Sequence, residues 1–342
     1  MFEPWLAIIG LGEDGPAGLS EASRAALAQA AVVFGAPRHL ALAGVGARGQ
    51  AWPVPFDLDP LLARRGQRVA MLVSGDPFWF GAGGSVVAHL SPGEWVAHPV
   101  AGTFSLLAAR LGWRLEDVIC LGLHAAPYAR LWPVLARGVR VICTLRDGAA
   151  VAELSGWLTA HGFGAARVTV AEALGGPVER LRSGCGWPDI AAPVAVAIDG
   201  ADLPPGAGLP RASGLPDDLF QHDGQITKAP VRAITLSALG PRPAELLWDI
   251  GAGSGSVSVE WCLAGGRAVC LEARADRAAT ITANADRFGV AHRMDLRHGA
   301  ALPMLGGLPP PDAVFVGGGG DAALYDALWR CCRRAPGSWP MA

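Results

Sequence analysis

Lysine is almost missing from this chain: Lys228 is the single lysine, and arginines supply the rest of the 28 basic residues. This bias, beside 46 glycines and 27 prolines, is typical of a genome's base composition, so the arginine number does not indicate nucleic-acid binding. No run of basic residues occurs, and the formal net charge is −2. We therefore expect neither nucleic acid nor a membrane as a partner.

Apolar runs long enough to cross a bilayer are also missing. Although 51% of the residues are hydrophobic and the mean hydropathy is +0.32, no uninterrupted apolar stretch reaches the about 18 residues of a membrane span. The apolar residues 5–9 are too few for a signal peptide and lack its basic flank. They predict the first strand of a cytoplasmic protein.

Paired metal-binding cysteines are missing as well. The seven cysteines include no Cys-x-x-Cys pair, and the adjacent Cys331 and Cys332 cannot easily share one metal. We expect buried thiols in a reducing compartment and no metal site.

A proline- and glycine-rich stretch divides the chain. Residues 199–218 show neither the period of a strand nor the period of a helix. With 342 residues, the chain is long enough for two domains that each have a core. We predict a first domain at 1–200, a linker at 201–220 and a second domain at 221–342.

Strands and helices alternate in both domains. In the first, we predict strands at 5–9, 69–73, 139–144, 167–171 and 193–198, and helices at 20–31, 83–90 and 104–111. In the second, we predict strands at 246–250, 267–272, 294–298 and 312–316, and helices at 254–264, 274–287 and 321–334. The fold class is therefore α/β, with a doubly wound second domain.

A triple-glycine turn follows the first strand of the second domain. Gly251, Gly253 and Gly255 let the backbone turn tightly and approach a ligand, and Glu272 closes the next apolar strand. The spacing lacks the final glycine of the dinucleotide-binding fingerprint, and a carboxylate at that strand end can accept both ribose hydroxyls. The pattern predicts an S-adenosylmethionine pocket rather than a nicotinamide pocket. Asp249, before the turn, can bind a ligand ammonium directly or through water.

Three further glycine-containing turns follow strands of the first domain. They lie at residues 10–15, 74–77 and 101–105, and Ser20 is expected to cap the helix after the first turn. Because ligand sites in open α/β sheets lie at the carboxyl ends of strands, the three turns would line one crevice. Taken singly, each is equally consistent with an ordinary tight turn.

The three turns resemble those of the tetrapyrrole methylase family. Its pattern is a Gly-x-Gly turn that ends in Leu-Ser or Leu-Thr, then Ser/Gly-Gly-Asp-Pro, then a Pro-Gly-x-Ser-type turn, in which Ala101 here replaces the proline. Residues 214–232 are similar to the junction of the precorrin-6Y C(5,15)-methyltransferases (decarboxylating) of cobalamin biosynthesis. In that family a tetrapyrrole methylase domain is fused to a Rossmann-like methyltransferase domain. The resemblance extends over nearly the whole chain.

The resemblance implies S-adenosylmethionine-dependent methylation of a precorrin macrocycle at two ring carbons, with decarboxylation of an acetate side chain. It also implies one cofactor site in each domain. By position in the motifs, the site residues are Ser74, Gly75, Asp76, Trp79, Phe104, Ser105 and Leu145 in the first domain, and Thr227, Gly251, Ala252, Gly253, Ser254, Gly255, Glu272 and Ala300 in the second. Gly10 and Gly12 would edge the substrate cleft. Because Phe104 occupies the position of a small hydroxyl residue, its contact would come from backbone groups.

Arginines are expected to bind the peripheral carboxylates of such a macrocycle in forked pairs. Arg38, Arg130, Arg146 and Arg232 are the candidates, although a surface position without a ligand is the more common role of an arginine. His124 is a candidate proton carrier, with a structural histidine as the more common alternative. The sequence identifies no catalytic base.

The last residues leave alternatives open. A Rossmann-like methyltransferase domain usually continues with further strands, whereas this sequence ends at residue 342. We expect a second domain without its last strands, and therefore weak decarboxylation and one methylation at most. The alternatives are a methyltransferase of another small substrate and a chain whose second domain serves only as a binding or scaffold module. A homo-oligomer is also expected.

Overall fold

The structure, a computed structural model, describes residues 4–184 and 186–332. The chain divides into two compact units, the first formed by Met1–Ala126 and Gly138–Asp202 and the second by Pro127–Arg137 and Leu203–Ala342. Residues 333 and 334 of the last predicted helix, and the terminal stretch on which the expected loss of strands depends, lie outside the described residues. Within the described ranges, no helix combines the length and the apolar character that a membrane crossing needs.

The described part of the first unit contains two five-stranded sheets. Their strands, in chain order, are β1 Leu6–Leu11, β2 Val32–Gly35, β3 Gly49–Ala51, β4 Val69–Ser74, β5 Trp95–His98, β6 Val118–Gly122, β7 Arg140–Leu145, β8 Arg167–Glu172, β9 Arg180–Ser183 and β10 Val194–Asp199. The first sheet is parallel and has the order β3-β2-β4-β1-β5. The second is mixed and has the order β6-β7-β10-β8-β9, in which β10 is antiparallel to both neighbours.

The helices of the first unit connect these strands. They are α1 Glu21–Gln29, α2 Pro37–Leu42, α3 Asp59–Leu62, α4 Gly83–Val87, α5 Thr103–Leu111 and α6 Ala149–Ala160. The central strands β1 and β4 are largely apolar because both faces of a parallel sheet are covered, with Ile9 and Leu72 in one buried cluster and Ile8 in another. Ser20 caps α1 as predicted, since its hydroxyl accepts the Ser23 N–H at 3.1 Å.

The described part of the second unit contains a four-stranded parallel sheet. Its strands are β11 Leu246–Ile250, β12 Arg267–Glu272, β13 Met294–His298 and β14 Ala313–Val316. Its helices are α7 Ala229–Leu239, α8 Ser256–Leu263, α9 Ala275–Arg287, α10 Ala301–Met304 and α11 Ala322–Cys332. The order β13-β12-β11-β14 reverses direction at β11, which is where an open α/β sheet forms a ligand crevice.

The strands predicted from the sequence are all present, with bounds shifted by a few residues. One shift has a clear physical reason: α8 begins at Ser256 rather than Ser254, because Gly255 has a φ of +71°, which is outside the helical range. The doubly wound character of the second domain is confirmed by its parallel sheet and alternating helices.

A buried arginine holds together the segment before α7. The Arg232 side chain has no exposed area, and its Nε donates to Glu260 Oε1 at 2.5 Å. The guanidinium also donates to Asp217 Oδ1 at 3.2 Å and to the carbonyl oxygens of Leu215 and Thr227. The prediction that Arg232 binds a substrate carboxylate is therefore wrong, because its donors are used inside the unit.

We expect Arg232→Met to lower the free energy of unfolding by about 3–5 kcal/mol, because it leaves the Glu260 carboxylate buried without its partner. Urea denaturation of the full chain measures this loss. Arg242→Met is the matched control, since Arg242 forms an exposed pair with Glu245, and we expect it to cost less than about 1 kcal/mol. Equal losses in both variants would contradict the role given to Arg232.

Candidate functional site

The second unit has a cavity of about 990 Å³ at the carboxyl ends of its parallel strands. Residues 224–227, 250–254, 271–274, 299–302 and 317–319 form most of its lining. It brings together most residues that motif position assigns to the second domain, namely Thr227, Gly251, Ala252, Gly253, Ser254, Glu272 and Ala300. Gly255 does not line the cavity.

The glycines of this turn serve different physical purposes. Gly251 has a φ of +66°, and a Cβ there would lie 2.6 Å from the carbonyl oxygen of Gly318. At Gly255, a Cβ would lie 3.1 Å from the Ile281 side chain of α9. Gly251 therefore lets two backbone turns meet beside the cavity, whereas Gly255 lets two helices pack.

Glu272 lies at the end of β12 and is only 5% exposed. Its Oε2 accepts the Gly253 N–H at 2.8 Å, and its Oε1 accepts the Arg274 N–H at 2.9 Å. A carboxylate has about four acceptor positions, so roughly two remain for a ligand. Glu272 thus fixes the glycine turn and also offers acceptors to the cavity.

Asp249 lies on β11 and is buried. Its Oδ2 accepts the Ser258 hydroxyl at 2.6 Å, whereas its Oδ1 is buried without a hydrogen-bond partner. Burial raises the pKa of Asp249 to about 6. The residue does not line the cavity, although Ile250 and Gly251 next to it do. Its free acceptor fits a bridging water or a ligand ammonium better than it fits a closed core.

The first unit has a cavity of about 830 Å³ beside the ends of β1, β4 and β7. It brings together all the residues that motif position assigns to the first domain, namely Ser74, Gly75, Asp76, Trp79, Phe104, Ser105 and Leu145. Gly12 and His124 line the cavity as well, whereas Gly10 does not.

Close backbone approach explains Gly10. A Cβ on Gly10 would lie 1.9 Å from the Gly75 carbonyl oxygen, and a Cβ on Gly75 would lie 2.5 Å from Gly102 Cα. The three turns of the first domain therefore meet as predicted, and the small size of glycine is what allows them to meet.

An aromatic pair forms one wall of this cavity. The ring of Phe104 lies 5.3 Å from the ring of Phe80, and Phe104 is 5% exposed. Phe80 has a φ of +56°, which residues with a side chain rarely adopt. Since the Phe104 ring is packed, a contact from its backbone stays the prediction.

The candidate arginines separate into two groups. Arg38 and Arg146 line the cavity of the first unit. Arg130 lines neither of the two cavities, and Arg232 is the buried residue described above. The structure thus leaves Arg38 and Arg146 as the candidates that can reach a ligand.

Sequence reasoning missed two arginines of the second cavity, Arg274 and Arg277. Arg277 is 19% exposed, and it donates to Asp223 Oδ2 at 2.9 Å and to Gln225 Oε1 at 2.5 Å. Neither arginine belongs to a glycine motif. Both reach the cavity because they lie at the start of α9, a few residues after Glu272. Their closeness in sequence to this strand-end carboxylate could have predicted their position.

Metal-binding groups give a separate observation. Within the described ranges, no three His, Cys, Asp or Glu side chains are placed to hold a metal ion.

Family models match both parts of the chain. The model of Tetrapyrrole (Corrin/Porphyrin) Methylases matches residues 6–184, and the model of the Precorrin methyltransferase domain matches residues 218–337. A precorrin-6Y C(5,15)-methyltransferase (decarboxylating) from Sinorhizobium sp is 44% identical over 332 residues, which are 93% of this chain and 79% of that protein. The chain belongs to the precorrin-6Y C(5,15)-methyltransferase (decarboxylating) family. It is therefore a decarboxylating C-methyltransferase, and membership implies an S-adenosylmethionine-dependent reaction.

Two further relatives match part of the chain. A probable cobalt-precorrin-6B C(15)-methyltransferase (decarboxylating) from Pyrobaculum calidifontis is 42% identical over 112 residues, which are 31% of this chain and 57% of that protein. The crystal structure of the C-terminal domain of precorrin-6Y C5,15-methyltransferase from Rhodobacter capsulatus is 59% identical, covers 36% of this chain and 66% of that chain, and has a TM-score of 0.35.

The raised pKa of Asp249 predicts a pH dependence of stability. The native state keeps this proton up to about pH 6, whereas the unfolded state loses it near pH 4, so stability falls as pH rises between these values. A difference of about two pKa units corresponds to about 3 kcal/mol. Asp249→Asn cannot ionise, and we expect it to remove this fall in urea unfolding experiments at pH 4 to 7. Asp295→Asn, at an exposed carboxylate, is the control, and its stability should still fall as pH rises. A fall that persists in Asp249→Asn would mean that another group causes it.

Proposed function

We propose that each unit binds one S-adenosylmethionine and methylates one ring carbon of a precorrin macrocycle, and that the second unit also removes the carboxyl group of an acetate side chain. The observation that carries this proposal is the presence of two cavities, one in each unit, each beside glycine turns at the carboxyl ends of parallel strands. Family membership supplies the substrate class.

The partial relatives suggest which unit removes the carboxyl group. The Pyrobaculum calidifontis protein is named a C(15)-methyltransferase (decarboxylating), and its match of 112 residues is comparable in length to residues 218–337 of this chain. We therefore assign methylation at C15 and decarboxylation to the second unit. Methylation at C5 then belongs to the first unit.

The residues of the second cavity fit S-adenosylmethionine, which supplies the methyl group. Glu272 has acceptors left for the ribose hydroxyls. The Asp249 Oδ1 lacks a hydrogen-bond donor, and because Asp249 does not line the cavity, a methionine ammonium would reach it through a bridging water. Gly251 lets its turn approach the Gly318 backbone beside the cavity, where a Cβ would collide with the Gly318 carbonyl oxygen. We assign Thr227, Ala252, Gly253, Ser254 and Ala300 to the same site.

The residues of the first cavity fit a second molecule of the same kind. We assign Ser74, Gly75, Asp76, Trp79, Phe104, Ser105 and Leu145 to it, because all of them line one space. The Asp76 Oδ1 accepts the Phe78 N–H at 2.8 Å, which fixes the 74–77 turn and leaves the other carboxylate oxygen for a ligand.

Arginines at both cavities can hold the peripheral carboxylates of the macrocycle. Arg146 pairs with Asp147 and Glu153, and it is 56% exposed. Exposed pairs of this kind contribute little to stability, so a substrate carboxylate can replace one partner at small cost. We propose the same exchange for Arg274 in the second cavity, which pairs with Asp276 and is 52% exposed.

Several sequence predictions stay predictions. These are the domain bounds 1–200, 201–220 and 221–342, the homo-oligomer and the cytoplasmic location. One measurement tests the proposed function itself: the full chain is incubated with its precorrin and S-adenosylmethionine, and mass spectrometry counts added methyl groups and lost carbon dioxide. Two methyl groups with loss of carbon dioxide support it, and a product without added methyl groups contradicts it.

We expect Glu272→Gln to weaken S-adenosylmethionine binding at the second cavity by about 10–100-fold, because a charge-assisted hydrogen bond worth about 1.5–3 kcal/mol is lost. Glutamine keeps an oxygen that can accept the Gly253 N–H, whereas Glu272→Ala would also release the turn. Titration calorimetry measures both cavities together, and the first serves as the internal control. Unchanged affinity at the second cavity would remove Glu272 from the site.

We expect Gly75→Ala to lower both the melting temperature and the affinity of the first cavity, because its Cβ would lie 2.5 Å from Gly102 Cα. A valine at this position should be worse, so such a variant will not melt normally. Gly84→Ala in α4 is the matched control, since a Cβ there meets no atom within 4 Å. Calorimetric binding and thermal melting of the two alanine variants test this. Normal melting and binding of Gly75→Ala would show that the turns tolerate a wider separation.

A further inference from the structure

Four side chains of the first cavity form a row, and the assignments above use only Ser74 among them. Arg38 pairs with Glu13, and the Arg38 Nη2 lies 3.2 Å from His39 Nε2. The same His39 Nε2 lies 2.8 Å from Ser74 Oγ. All four residues line the cavity, but their exposure differs: His39 is 9% exposed, whereas Ser74 is exposed. The serine hydroxyl thus separates a buried imidazole from the open space.

The contacts determine where the protons lie. A guanidinium has only donors, so its hydrogen bond to His39 Nε2 requires that this nitrogen carries no proton. The imidazole is then neutral and carries its proton on Nδ1, which is buried without a hydrogen-bond partner. Since His39 Nε2 accepts, Ser74 Oγ donates its hydrogen to it and turns its lone pairs toward the cavity.

The surroundings keep this imidazole neutral. Burial, and then the neighbouring Arg38 charge, lower the pKa of His39 to about 4. Glu13, the carboxylate in this row, faces Arg38 rather than the imidazole. At neutral pH the His39 Nε2 is therefore unprotonated and can accept a proton through Ser74.

We propose that Ser74 and His39 accept the proton that ring methylation releases in the first unit, which rests on the proposed function. Methylation of a ring carbon that bears hydrogen leaves a hydrogen and a methyl group on that carbon and a positive charge on the ring. The C–H bond then breaks, and its electron pair returns to the ring. The proton passes to Ser74 Oγ while the hydroxyl proton of Ser74 passes to His39 Nε2.

The same contacts explain how Ser74 and His39 return to their starting protonation state. An imidazolium beside the Arg38 guanidinium is disfavoured, so after each turnover His39 returns the proton through the exposed Ser74 hydroxyl to solvent. Glu13 neutralises part of the Arg38 charge and keeps the guanidinium in place. A weak base is sufficient for this step, because the methylated ring carries a positive charge and releases its proton readily.

The proton positions can be measured in the protein without ligands. In a chain labelled with ¹⁵N-histidine, we expect His39 to show an unprotonated Nε2 and a protonated Nδ1 at neutral pH. Loss of the signal in His39→Gln assigns it. Ser74→Ala should shift the Nε2 resonance, because it removes the hydroxyl donor. A proton on Nε2 would overturn the proposal.

The reaction provides the second test. We expect His39→Gln to slow methylation at C5 by about 10²–10⁴-fold in single turnovers, the usual contribution of a positioned base. Glutamine can still accept the Ser74 hydrogen bond but cannot take up the proton, so calorimetric binding of S-adenosylmethionine should persist. In His39→Ala, added imidazole should restore part of the rate. His89→Ala is the matched control, because His89 is exposed and lies outside the cavity.

The outcomes separate this proposal from the function on which it rests. A slow His39→Gln that still binds the cofactor, together with imidazole rescue of His39→Ala, supports the proton pathway. A wild-type rate in His39→Gln overturns the pathway alone. Absence of cofactor binding to the first cavity of the wild-type chain overturns the proposed function and the pathway together.

Discussion

Both cavities depend on one constraint: backbone turns must approach each other more closely than a side chain allows. In the first unit, the turns containing Gly10, Gly75 and Gly102 meet at distances where a Cβ would overlap a backbone atom. In the second unit, Gly251 and Gly318 meet in the same way. Parallel strands end at a common edge, and the turns that follow them compete for the same space. Glycine resolves that competition, and the space left between the turns becomes a pocket lined by backbone groups.

Buried carboxylates in the two units have different partners. The partners distinguish the carboxylates that stabilise the fold from the one that lies at a cavity. Glu172 pairs with Arg180 and Arg182, and Glu260 pairs with Arg232, so these carboxylates are neutralised within the fold. Glu272 is held instead by two backbone N–H groups, which leaves part of its acceptor capacity unused. A carboxylate with unused capacity beside a cavity is costly for stability alone, and a ligand that donates hydrogen bonds offsets that cost.

The sequence predicts the long apolar strands and the glycine turns, because both patterns are local. It does not predict β2, β3, β5, β6 and β9. Of these, β9 consists mostly of polar residues and is paired with β8, where Arg180 and Arg182 meet Glu172. The site residues likewise divide into those with a local sequence pattern and those without one. Ser74 and Glu272 end strands that lead into recognisable turns, and Arg274 and Arg277 follow Glu272 closely in the sequence. His39 reaches its cavity only through tertiary structure. A histidine two residues into a short helix carries no signal of its burial or of its serine partner.

Proton balance relates the two cavities to the two reactions. Methylation of a ring carbon that bears hydrogen releases one proton, whereas removal of carbon dioxide from an acetate arm leaves a methyl group that must take one up. If both steps occur in the second unit, as proposed, release and uptake cancel there, and among the described residues that line its cavity there is no histidine. The first unit, which under the proposed function only methylates, must pass its proton out. Its cavity contains the Ser74–His39 pair, with a guanidinium behind it that prevents the proton from staying.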